Sequence, residues 1–214
     1  MQAPTTATFF DQYASDFAAI YGNGHSRIDR LLNWTFRRSM KLRHERTLAG
    51  CLPILGRTVL DIGCGPGHYS VDLAKRGAAS VVGIDFADGM LQLAEARAAQ
   101  AGVQRRCSFI RGDFLEATFE QPFDYTIAMG LMDYVAEPRT FLARVLSVTK
   151  SRAFFSFPVA GGLLAWQRKI RYQRRCPLYF YEEHQIRRLL AGLGAREVRL
   201  SRLARDFFVQ VDLD

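Results

Sequence analysis

Early in the chain the apolar positions recur at three- and four-residue steps. Phe9, Phe10, Tyr13, Phe17 and Ile20 predict an amphipathic helix from about Thr6 to Tyr21, and the GNG at 22–24 stops it. Ile28, Leu31, Leu32, Trp34, Phe36, Met40, Leu42 and Leu48, set among arginines, predict a second from Arg27 to about Leu52, closed by Pro53 and Gly56.

The pattern then changes to short apolar runs alternating with helical ones. TVLDIG, SVVGID, CSFIRGD, FDYTIAMG and SRAFFSFP read as strands. Helices are expected between them over about Gly67–Arg76, Asp88–Ala101 and Pro138–Val148. Strands separated by helices of this length need crossover connections, so this sheet is expected to be parallel. After a basic stretch comes a helix near Glu182–Leu193, then AREVRLSRL and RDFFVQVDL across a very short turn. A turn that short forces an antiparallel hairpin. The fold class is therefore α/β: a seven-stranded mixed sheet, parallel with a terminal antiparallel hairpin, with helices on both faces.

Composition adds bounds rather than detail. A chain of 214 residues, 49% hydrophobic and 23% charged, is expected to form one packed domain. No apolar run reaches membrane-span length and the N-terminus lacks the order of a secretion signal, so a cytoplasmic protein is expected. Cys51, Cys64, Cys107 and Cys176 show no paired spacing, which indicates neither a disulfide framework nor a metal site. The net charge of +8 is unevenly placed. Between Glu137 and Glu182 there is no acid, while Arg139, Arg144, Lys150, Arg152, Arg168, Lys169, Arg171, Arg174 and Arg175 fall inside that interval. An anionic or lipid-linked small molecule is the partner ranked first for this charge, an anionic membrane surface second and nucleic acid third.

The chemistry concentrates in VLDIGCGPGHYS, residues 59–70. A dinucleotide fingerprint has G-x-G-x-x-G, whereas Gly63, Gly65 and Gly67 are spaced G-x-G-x-G, with His68 where the third glycine would stand. Asp61, inside the strand, suits a ligand bearing a positive charge. Asp85 closes the second strand, where a carboxylate can accept both hydroxyls of a ribose. A nucleoside carrying a cation is the implied ligand.

VLDIGCGPG, the acid that ends VVGID, and FIRGDF together resemble the motifs of the class I S-adenosylmethionine-dependent methyltransferases. The resemblance runs from Thr58 to the final hairpin and implies a Rossmann-like fold with S-adenosyl-L-methionine as cofactor. It places Asp61, Gly63, Cys64 and Gly65 along the methionine moiety and Asp85 on the ribose. It puts Phe86 and Met90 on the adenine faces, Gly112, Asp113 and Phe114 at the adenine edge, and Met129 and Gly130 near the sulfonium. FFDQYASDFAAIYG looks like the leading helix of small-molecule members, with Tyr13 closing over the cofactor. In overall layout the chain is also similar to magnesium-protoporphyrin and quinone-pathway O-methyltransferases. The implied organisation is one domain over 1–214: leading helices 1–56, cofactor-binding core 57–157, a basic substrate cap 158–181, and a final helix and hairpin 182–214.

Each candidate has a plainer alternative. His68 could be a general base, since imidazole titrates near neutrality, or simply the first polar residue of a helix. Asp113 could cap a turn rather than contact adenine. Asp133 and Tyr134 follow the fourth strand, where pocket-lining residues of such enzymes lie. In the cap, Trp166, Arg171, Arg174, Arg175 and Tyr181 are candidate acceptor contacts, against a solvated helix face with one packed side. The expected function is methyl transfer to a small molecule, with oxygen the favoured atom. The alternatives are a nucleic-acid methyltransferase, although MGLMDY lacks an N/D-P-P-Y/W element, and a non-catalytic cofactor-binding partner protein.

Overall fold

Val59, Leu60, Asp61 and Ile62 are four consecutive buried residues, so β1 (Thr58–Ile62) is covered on both faces. The computed structural model that shows this describes residues 27–161 and 178–214, with side chains from 38 onward. The helix expected over Thr6–Tyr21, with Tyr13, lies outside the described residues. So does most of the basic cap, including Trp166, Arg168, Lys169, Arg171, Arg174 and Arg175.

After α1 (Arg27–Gly50) and β1 the chain alternates through α2 (His68–Lys75), β2 (Ser80–Asp85), α3 (Asp88–Gln100), β3 (Cys107–Arg111), β4 (Phe123–Ala128), α4 (Pro138–Ser147) and β5 (Thr149–Pro158). It ends with α5 (Glu183–Leu190), β6 (Glu197–Arg202) and β7 (Asp206–Asp212). The seven strands form one sheet in the order β3-β2-β1-β4-β5-β7-β6. The pairs among β1 to β5 are parallel; β7 runs antiparallel between β5 and β6. This is the mixed sheet expected from the alternation of runs, and the Rossmann-like layout that the family resemblance implies.

The order reverses between β1 and β4, and in open sheets of this kind ligands bind beyond the strand carboxyl ends at that reversal. Two apolar layers hold the strands in place. On one face Leu60, Ile62, Phe155 and Phe157 pack with Phe141 and Leu142 of α4 and Ile186 and Leu190 of α5. On the other, Val59, Ile127, Phe154 and Phe208 pack with Leu48 of α1 and Leu73 of α2.

Element ends differ from expectation where local bonds decide them. The last helix begins with a capping box, in which Gln185 Oε1 accepts the Glu182 amide at 2.9 Å. It stops at Leu190 rather than Leu193, because Ala191 takes an extended ψ of 129°. β5 begins two residues earlier than SRAFFSFP, at Thr149, whose hydroxyl lies 2.7 Å from that of Thr126 on β4.

Candidate functional site

The glycine loop joins β1 to α2 at the reversal. Gly63 and Cys64 both donate their amides to Ile84 O, at 2.8 and 3.2 Å, which ties the loop to the end of β2. Gly65 turns left-handed at φ 51°, and its amide donates to Asp85 Oδ2 at 2.9 Å. The other oxygen of Asp85 accepts the Ala87 amide at 3.0 Å. Two backbone segments thus fix one carboxylate, whose oxygens offer about four acceptor positions in all.

Around Asp85 lies a cavity of about 360 Å³. Of the sequence-predicted residues it gathers Gly63, Asp85, Phe86, Gly112, Asp113, Phe114 and Tyr134. Leu131 and Val135, which the sequence did not single out, complete the wall after β4. Asp113 lines the cavity, and its Oδ1 accepts the Leu115 amide at 2.9 Å, the turn-holding role that is its plainer alternative.

Other predicted residues do not line this cavity. Cys64, Met90 and Met129 are buried in the core, and Cys64 is a thiol that burial keeps protonated by raising its pKa. Asp61 is buried beneath the glycine loop and accepts Ser70 Oγ at 2.6 Å. Burial pushes its pKa to about 6, against the pull of Ser70, and Asp85 adds to the rise. His68 opens α2, half-buried, its pKa lowered first by burial and then by Arg97 and His44. It is not brought to the cavity. Asp133 is buried and its backbone oxygen accepts the Tyr179 amide at 2.9 Å. Tyr181, also buried, donates its hydroxyl to Met132 O at 3.2 Å, and burial raises its pKa to about 12.

Sequence reasoning missed Arg43. Reaching in from α1, its guanidinium donates to Ser156 Oγ at 3.2 Å, lies 3.7 Å from Asp206 Oδ2 and bonds the Tyr69 side chain. Burial opposes its charge, yet Tyr69, Asp206 and Asp133 together raise its pKa. Ser156 Oγ in turn accepts the Gly130 amide at 2.7 Å, and a side chain at Gly130 would meet the guanidinium at 3.5 Å. The Arg43 Nε is buried with no hydrogen-bond partner. One of six arginines in α1, it carries no sequence mark beyond its type.

The fold and the cavity define an α/β protein with a ligand-sized site at the sheet reversal, and comparison with known proteins narrows this. A family model described as a methyltransferase domain matches residues 59–152. Magnesium-protoporphyrin O-methyltransferase of Rhodobacter capsulatus is 30% identical over 188 residues, covering 84% of this chain and 78% of that protein. Ubiquinone biosynthesis O-methyltransferase of Ruegeria sp. (strain TM1040) is 35% identical over 107 residues, 50% of this chain and 42% of that one. The match thus spans less than half the length of that second relative. Among solved structures, magnesium protoporphyrin IX methyltransferase from Synechocystis PCC 6803 with bound S-adenosylmethionine aligns at TM-score 0.75 and 19% identity, covering 100% of both chains. The chain belongs to the class I S-adenosylmethionine-dependent methyltransferases, whose methyl donor gives the family its name.

Proposed function

We propose that this chain transfers the methyl group of S-adenosylmethionine to an oxygen of a small anionic or lipid-linked acceptor. The observation that carries the reading is Asp85, braced by two amides at the edge of a nucleoside-sized cavity directly above the glycine loop. The similarity to magnesium-protoporphyrin and ubiquinone-pathway O-methyltransferases supports oxygen as the acceptor atom.

The residues present fit the cofactor. Asp85 would accept the ribose hydroxyls, and Phe86, Phe114 and the Asp113 turn would enclose the adenine. Asp61 is a buried acid short of a cation, suited to the methionine ammonium. Arg43, whose guanidinium end lies beside Gly130 and whose Nε is buried without a partner, suits the methionine carboxylate. When bound, the cofactor supplies a methyl group on a positively charged sulfur. Displacement at that carbon releases a neutral thioether, so holding the reactants in line supplies most of the acceleration. The chain's part is to orient: Arg43, Asp61 and Asp85 fix three points of one ligand, while Leu131 and Tyr134 wall the cavity and exclude water. No step here requires His68.

Calorimetry tests this directly. S-adenosylhomocysteine should bind and NAD should not, and Asp85→Ala should weaken binding by about 1.5–3 kcal/mol, as for a hydrogen bond to a charged group. A well-folded Asp85→Ala protein that binds as tightly as the parent would show the ribose assignment to be wrong.

A further inference from the structure

A second cavity, of about 410 Å³, lies beside the first and shares Ala136 with it. Its aromatic surface comes from Tyr179, Phe180 and Tyr181, in the stretch that leads into α5. Gln185 and Arg188 of α5 and Arg139 of α4 supply the polar surface.

The charge there is one-sided. Arg139 donates to the carbonyls of Leu189 and Ala191, at 2.9 and 3.1 Å, so backbone oxygens rather than an acid hold it. Arg188 is exposed, and among the described residues no carboxylate pairs with it or lines the cavity. The acids at the start of α5 are engaged elsewhere: Glu183 pairs with Arg187 at 2.7 Å, and Glu182, just before the helix, forms its capping box. Gln185 gives its oxygen to the Glu182 amide, which leaves its NH₂ as the donor. Aromatic faces beside two cations and an amide donor match a flat apolar body with an anionic group.

The wall between the cavities is the loop after β4. Tyr181 holds it through Met132 O and Tyr179 through Asp133 O, and the same loop gives Leu131 and Tyr134 to the first cavity. A molecule seated in the second cavity therefore lies against the segment that borders the cofactor site.

We propose that the second cavity is an acceptor subsite for an anionic aromatic molecule, its ring against Tyr179 and Phe180 and its anionic group on Arg188 and Gln185; the acceptor role rests on the methyl-transfer reading above. The test is calorimetry on the full chain saturated with S-adenosylhomocysteine, with a naphthalene carboxylate and its neutral carboxamide as probes. The carboxylate should bind at least about tenfold more tightly than the carboxamide, and Arg188→Gln should remove that difference, the loss of one charge-assisted contact. Phe180→Ala should weaken both probes. S-adenosylhomocysteine affinity, titrated separately, should stay unchanged in both variants. Equal binding of the two probes, parent-like carboxylate binding by Arg188→Gln, or displacement of S-adenosylhomocysteine by the carboxylate overturns the subsite. A chain that never binds S-adenosylhomocysteine overturns the methyl-transfer reading instead, whatever the naphthalene probes do, and the acceptor role falls with it.

Discussion

Asp61 stands where its charge is opposed. Burial holds its folded pKa at about 6, above its ordinary 3.8. Between those values the folded chain keeps a proton that the unfolded chain has lost, so stability falls as pH rises through this window and stays reduced above it. Two units correspond to about 3 kcal/mol. Asp61→Asn should therefore make the ligand-free protein more stable than the parent above pH ~6 by up to about 3 kcal/mol, with the difference gone below pH ~4. Urea unfolding across that pH range measures it, and a difference that does not vary with pH would mean the carboxyl is not the titrating group. If Asp61 meets the methionine ammonium as proposed, the same variant should bind the cofactor more weakly. Asp61, Gly63 and Asp85 could be found in the sequence because the length of a βα unit fixes their spacing. Arg43 could not: its role comes from α1 lying across β7 and meeting Gly130, a contact between distant parts of the chain.

At the scale of elements, the glycine loop couples shape to stability. Gly67 precedes α2 at φ 71°, and a Cβ there would lie 2.9 Å from the Ala94 Cβ on α3. Gly67→Ala combines a left-handed alanine with overpacking and should cost about 2–4 kcal/mol in urea unfolding. Gly65 has φ 51° but no atom within 4 Å of its Cβ position. Gly65→Ala should cost only about 1–2 kcal/mol; on the proposed reading, in which this loop borders the methionine moiety, it should also weaken S-adenosylhomocysteine binding. If both variants lose stability equally, the helix contact at Gly67 is not what sets its cost. Strand identities and the closing hairpin were readable from run length and turn length. The placing of β7, rather than β6, beside β5 was not read, although its physical sign is present. The run DFFVQVD is buried almost throughout, as suits a strand covered on both faces, whereas EVRLSR keeps exposed positions along its length.

For the molecule as a whole, ligand and fold are linked. A ligand that binds only the folded chain, at a hundred times its dissociation constant, adds about 2.7 kcal/mol. In a chain of this size that corresponds to a melting-temperature rise of roughly 5–10 °C. Scanning fluorimetry should show this rise with S-adenosylhomocysteine and none with NAD at equal concentration. The buried polar cluster behind the cavity has a further consequence. Ser39 on α1 donates to Asp206 at the start of β7, 167 positions later, and Arg43 lies against the same carboxylate. During vectorial synthesis the five parallel strands leave the ribosome before β7, so Phe155 and Phe157 first appear on an open edge and Arg43 has no Asp206 to meet. The buried cluster of Ser39, Arg43 and Asp206 is therefore assembled last, when the final hairpin closes the sheet.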